Sequence, residues 1–254
     1  MAMKFLYRHI PGTVALAVLL MGAAMAEPDK PLRIVELFTS HGCSSCPPAD
    51  RLLGELLDED HSLMALEYHV DYWNSLVHGS AGSWADPFSS REFTDRQRAY
   101  DDAELAGRGG VYTPQVVVNG HYAAVGSDRR RLQQALQQAG TQQLDIDIAE
   151  VPASDGRELR ISVSGSPAQL QALSGTSVSL VRYIDSATTP VTGGENKNLQ
   201  LVNHHIVFEV SRLGEVNAHR SLNVAATAPI PGQGCVVLVQ EGAVSPVYAA
   251  AECP

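Results

Sequence analysis

The 254-residue sequence predicts an α/β domain followed by an all-β sandwich domain. Three observations carry that prediction. Residues 30–140 alternate apolar, β-branched runs with segments of helical spacing, as strands joined by helices do. From Leu144 onward the texture changes to short alternating runs separated by turn residues. The chain beyond its N-terminal leader, roughly 230 residues, also exceeds the usual ~100–150 of one domain.

Residues 1–26 carry Lys4 and Arg8, then an apolar run from Val14 to Met21, then Ala24-Met25-Ala26. That is the order of a secretory signal peptide cleaved near Ala26, and it implies a periplasmic or secreted protein. The run falls short of the roughly 20 residues of a membrane span, and the mature chain is expected to have none. The formal charge of -10 becomes about -12 without the leader, which makes nucleic acid a poor partner. Four cysteines form an even set in a compartment that permits disulfides.

Within 27–141, Leu32 to Phe38 reads as a buried strand. Cys43 and Cys46 follow, and Leu52, Leu53, Leu56 and Leu57 then recur at helical spacing, so the cysteines sit where a helix begins. Pro47 and Pro48 fit there, because the first N–H groups of a helix have no partner inside it. Those groups and the helix dipole favour a thiolate, which depresses the pKa of the first cysteine. Leu63 to Val70 reads as a second strand, and strand, helix, strand implies a right-handed parallel crossover. Asn74 to Asp86 has no period and reads as a loop. Ser89, with Glu92 three residues later, forms a capping box for a helix to about Ala106, stopped by Gly107. After Thr113-Pro114, two β runs flank Asn119-Gly120, a dipeptide that tolerates the positive φ of a tight hairpin turn. A last helix runs from about Ser127 to Ala139.

Within 142–254, short runs lie at 144–148, 159–163, 178–183, 206–210, 221–225, 235–240 and 247–251. They suggest an antiparallel sandwich of the immunoglobulin-like kind. Cys235 and Cys253 lie near the outer ends of the last two runs, and folding that hairpin sets them opposite each other. A structural disulfide is expected, with a pair of reduced thiols as the alternative. His204 and His205 alternate on a strand and so face opposite ways, which keeps them from chelating together. Gly193 to Asn198 is polar and reads as a loop.

The order of elements, with CxxC at the first helix and a proline before the hairpin, resembles the thioredoxin fold. That resemblance implies a cis peptide at Thr113-Pro114 lying against the cysteines, and a carboxylate buried beneath them near Glu36, though with one more residue between the two. More specifically, Val35 to Ser40, Gly42 to Asp50, His69 to Trp73, Tyr112 to Gln115 and Gly194-Glu195-Asn196 resemble an exported bacterial family, domain of unknown function 1223. The resemblance implies a thioredoxin-like domain with a C-terminal extension, contact between Gly193–Asn198 and that domain, and little about substrate.

For the chemistry, Cys43 is expected to be the more exposed thiol and to attack a substrate disulfide, with Cys46 resolving the mixed disulfide; the reverse direction is equally open. Thr113 and Pro114 would shape the substrate groove, and Glu36 would relay protons if buried near Cys46 or else pair with a basic residue. Substrates would be protein thiols or disulfides, served by an unidentified redox partner and no cofactor. Two alternatives use the same cysteines: an inert structural disulfide, or a copper or zinc site of His41, Cys43 and Cys46 with His69 as a possible fourth ligand. Asp71, Tyr72 and Trp73 are expected beside the pair, either as a substrate surface or as a packed strand exit.

Overall fold

The computed structural model describes residues 1, 31–104, 110–138, 142–154, 156–242 and 244–254. The expected cleavage site near Ala26 lies outside them. The first half forms β1 (Arg33–Thr39), α1 (Pro47–Glu59), β2 (Leu63–His69), α2 (Arg91–Asp102), β3 (Gln115–Val118), β4 (Tyr122–Val125) and α3 (Arg129–Gln137), in the order its apolar periodicity predicts. β1 and β2 run parallel, and β3 returns antiparallel to β1. β4 pairs with β3 across Asn119-Gly120, both at positive φ. α2 begins one residue later than the capping box suggests. Ser90 is its N-cap and accepts from the Glu92 amide, while the Ser89 hydroxyl donates to the Asp86 carbonyl.

The second half forms β5 (Asp145–Ala153), β6 (Gly156–Ser164), β7 (Ser177–Pro190), β8 (Gln200–Glu215), β9 (Leu222–Thr227), β10 (Gln233–Gln240) and β11 (Ala249–Glu252). A short α4 (Pro167–Ala172), absent from the sequence reading, precedes β7 and carries a full capping box between Ser166 and Gln169. These strands overturn the predicted fold class, a thioredoxin-like α/β domain followed by an immunoglobulin-like sandwich. One mixed sheet of eight strands, in the order β11-β10-β7-β8-β2-β1-β3-β4, takes four strands from each half of the chain. Among the described residues, β5, β6 and β9 form a separate sheet, of three strands. The junction is the parallel pairing of β8 with β2. Its physical reason is that β2 is buried along its whole length, so the N–H and C=O groups of its second edge need a partner other than water. The expected boundary between 141 and 142 falls between α3 and β5, and the sheet runs across it.

Strand parity sorts the side chains into two faces. On one, α2 contributes Phe93 and Tyr100 to a core with Ile34, Phe38, Leu66, Tyr68, Val181, Tyr183, Val236 and Leu238. On the other, α1 and α3 cover Val35, Leu37, Ala65 and Val116, and the three-stranded sheet covers Val178, Leu180, Val237 and Val239. Each fully buried side chain of this size contributes about 1.5–3 kcal/mol. The same parity turns Thr39, Glu67 and His69 toward α1 and turns Glu36 toward α2. Among the described residues, no helix is long and apolar enough to cross a membrane.

Candidate functional site

The site lies where β1 and β2 end beneath the start of α1. Cys46 is the N-cap of that helix, with Pro47 and Pro48 following it, and the Ala49 and Asp50 amides donate to the Cys46 carbonyl. Cys43 and Cys46 are joined as a disulfide, with Cα atoms 5.4 Å apart. Cys43 Sγ is 3.2 Å from the Ser45 hydroxyl. The Thr113-Pro114 bond is cis. Thr113 closes on the cysteine loop in two ways: its carbonyl accepts from Ser45 Oγ at 3.4 Å, and its hydroxyl accepts from Trp73 Nε1 at 2.8 Å. Trp73 is thus beside the pair as expected, while Asp71 is held away by Thr94 Oγ1, which donates to it at 2.6 Å.

Both cysteines are fully buried, which corrects the expectation that Cys43 is the exposed one. The reason lies in the polar loop between β7 and β8. This strap crosses the cysteine loop: Asn196 Nδ2 donates to the carbonyls of His41 and Cys43, each at 2.9 Å, and Glu195 Oε2 accepts from the Ser44 amide at 2.8 Å. The Ser44 amide holds the Glu195 carboxyl below its ordinary range. Two glycines let the strap approach. A Cβ on Gly193 would collide with the Ser83 carbonyl, and Gly194 has a φ of 70°.

Beneath the strap lies a buried polar cluster. His41 and His69 stand edge to face with ring centroids 5.0 Å apart, and Asp86 lies between them, accepting from the His41 amide and from His69 Nδ1, each at 2.8 Å. His41 Nε2 meets Asn203 Oδ1 at 2.8 Å, and Asn203 Nδ2 donates to Glu67 Oε2 at 2.7 Å. Asp50, on the first turn of α1, accepts from Thr39 Oγ1 at 2.7 Å. Burial lowers the His41 pKa despite the Asp86 charge. For His69 burial acts in the same direction, but the Asp86 and Glu67 carboxylates outweigh it and raise the value to about 10. Burial would raise Asp86, yet His69 and His41 bring it down to about 2. Burial and the Glu67 charge push the Asp50 carboxyl well up.

Glu36 is not part of this cluster. It lies on the α2 face, where Arg96 holds it through Nε at 2.9 Å and Nη2 at 2.6 Å, and Tyr100 Oη donates to it at 3.1 Å. Arg96 also sits 5.4 Å from the ring centroids of Tyr68 and Tyr100. The proton-relay reading of Glu36 therefore gives way to a structural ion pair. Parity already contained this result, since Glu36 is an odd number of residues from Thr39. The expected contact of the Gly193–Asn198 loop is the one Asn196 and Glu195 make, while sequence reasoning gave no role to Asp50, Glu67, Asp86 or Asn203. Of these four, Glu67 left a signal, since it shares one face of an otherwise apolar strand with His69. A cavity of about 620 Å³ between α2 and the β7–β8 pair, lined by Glu92, Arg96, Ser179 and Arg212 among others, holds none of these groups. Cys235 and Cys253 form a second disulfide across β10 and β11, with Cα atoms 5.3 Å apart.

Known proteins resemble this chain in fold more than in sequence. The crystal structure of protein AGR_C_4864 from Agrobacterium tumefaciens is similar at a TM-score of 0.66 and 28% identity, over 89% of this chain and 96% of that one. HBP35 of Porphyromonas gingivalis is similar at a TM-score of 0.59 over 88% of this chain and 74% of its own, and at 11% identity it shows the fold alone. Comparison with the curated proteins finds no match. A family described as "Protein of unknown function (DUF1223)" matches residues 34–240, most of the sequence. The chain therefore belongs to the DUF1223 family.

Proposed function

We propose that the protein exchanges disulfides with exported proteins through Cys43 and Cys46. The observation that carries this reading is a disulfide at the N-terminus of α1, where the helix dipole and the Ser45 hydroxyl favour the thiolate that each half-reaction produces. In the oxidising direction, a substrate thiolate attacks Cys43 Sγ. The Cys43–Cys46 bond breaks, a mixed disulfide forms at Cys43, and Cys46 leaves as a thiolate. A second substrate thiolate then attacks the substrate sulfur of the mixed disulfide and releases Cys43. The substrate dithiol is oxidised by two electrons and the pair is reduced by two; the reverse sequence reduces a substrate disulfide. Thr113 and Trp73 border the loop that the substrate would meet, and an exported redox partner would restore the pair.

The burial of both sulfurs favours a second reading, a structural disulfide that anchors the strap. One measurement separates the two. Equilibration with glutathione, followed by mass-spectrometric thiol counting on wild type and on Cys235→Ser/Cys253→Ser, gives the potential of the Cys43/Cys46 pair. A value between about -270 and -120 mV, the range of exchange proteins, is expected; a pair still oxidised below about -300 mV overturns the exchange reading. The copper or zinc site of His41, Cys43 and Cys46 needs both thiolates free, and in the disulfide neither is.

A further inference from the structure

We propose that His41, His69 and Asp86 form a buried site for a divalent transition-metal ion of zinc-like preference, separate from the two cysteines. One candidate donor atom from each residue lies within 4.8 Å of the others, and all three residues are buried. Two imidazole nitrogens and a carboxylate are a donor set that suits zinc.

The hydrogen-bond network supplies the second observation. Glu67 Oε2 accepts from the Asn203 amide nitrogen and Oε1 from the His204 amide, so the Asn203 oxygen faces His41. That oxygen also accepts, which places the hydrogen of a neutral His41 on Nε2 and leaves a lone pair on Nδ1. His41 Nδ1 is buried, has no hydrogen-bond partner, and lies 3.5 Å from Asp86 Oδ1, acceptor against acceptor. The His69–Asp86 pair accounts for one imidazole and leaves that contact unresolved. A cation bound by His41 Nδ1, His69 Nδ1 and the Asp86 carboxylate resolves it, and the proton between His69 and Asp86 goes to solvent.

The groups around the three residues are those that orient metal ligands. Asn203 fixes the far nitrogen of His41, and Glu67 Oε2 stands 3.5 Å from the far nitrogen of His69. The Phe88 amide holds Asp86 Oδ1 at 3.0 Å. Phe88 itself packs edge to face with both imidazoles. Zinc donors stand about 3.3 Å apart at tetrahedral geometry, so loading needs a contraction of up to about 1.5 Å from the 4.8 Å within which the donor atoms lie.

The test uses the oxidised protein, whose Cys43–Cys46 disulfide offers no thiolate. Mature chain unfolded with chelator and refolded with one equivalent of zinc, then gel-filtered, is expected to carry about one zinc per chain by elemental analysis. Cys43→Ser/Cys46→Ser keeps that zinc, His41→Ala and Asp86→Ala lose at least nine-tenths of it, and Asn203→Ala binds about 10- to 100-fold more weakly. Because alanine in a buried cluster can prevent folding, wild type refolded with cobalt supplies a second readout: visible d–d bands without a thiolate charge-transfer band. No zinc in refolded wild type, zinc that leaves with the cysteines, or a thiolate band each overturns the proposal. None of these readings involves thiol exchange, so their failure is distinct from failure of the exchange reading.

Discussion

If Cys43 reacts only when the strap lifts, weakening the strap must speed reduction of the Cys43–Cys46 disulfide. Asn196→Ala is the sharpest perturbation. It deletes two hydrogen bonds of 2.9 Å from a side chain only 3% exposed; it leaves the His41 carbonyl without that donor and the Cys43 carbonyl with the Cys46 amide alone. Each lost bond is worth about 1 kcal/mol net and up to about 2 where the abandoned group stays buried, as the His41 carbonyl does, so the closed state loses about 2–3 kcal/mol. At 1.4 kcal/mol per factor of ten, the open fraction rises roughly 30- to 140-fold, and the reduction rate rises with it until opening is no longer limiting. The assay is reduction by dithiothreitol, quenched by alkylation and resolved by mass spectrometry. The Cys235–Cys253 disulfide in the same molecule serves as internal control. An unchanged rate at Cys43–Cys46, or equal acceleration of both disulfides, refutes the idea that the strap gates the pair.

Two further outcomes follow from the same geometry. Glu195 gives the strap a pH dependence whose sign is fixed by its depressed pKa, with the Ser44 amide as chief cause and His78 as the nearby titratable group. Its contribution is present above the ordinary glutamate value of about 4.3 and lost as pH falls through the folded value. Reduction by a water-soluble phosphine should therefore accelerate as pH falls below the ordinary glutamate range in wild type relative to Glu195→Gln, which is loosened already at neutral pH; parallel profiles for the two proteins would remove Glu195 from the strap's closure. Glu36→Gln removes the carboxylate that Arg96 grips through Nε and Nη2 and should cost about 3–5 kcal/mol in urea unfolding. The same variant should leave the pH profile of thiol exchange unchanged, and an altered profile would restore Glu36 as a relay.

Local signals in the sequence were strong where one element decides the outcome. The leucines of α1, the Asn119-Gly120 turn and the placement of both cysteine pairs are readable because periodicity, positive φ and hairpin register act over a few residues. The sheet was not readable, because its order depends on which strand meets the free edge of β2. β7 and β8 extend to 14 and 16 residues, far beyond the short apolar runs at 178–183 and 206–210, and their outer parts alternate too weakly to announce strands. The buried cluster escaped for the same reason. Asp86 sits in a segment without period, and Asn203 is 162 positions from the histidine it meets.

The β7–β8 hairpin is what joins the cysteine loop to that cluster. Its connecting strap takes the His41 carbonyl through Asn196, and the start of β8 takes the His41 ring through Asn203. One residue, two positions before Cys43, is thus held at backbone and side chain by the same distant segment. A change that draws β8 away from β2 breaks the parallel junction at Glu67 and Ile206, releases Asn203 from Glu67, and loosens the loop that carries Cys43. The C-terminal half therefore acts as a wall of the cysteine site. That is why its removal should expose a loop whose orientation the remaining strands alone do not fix.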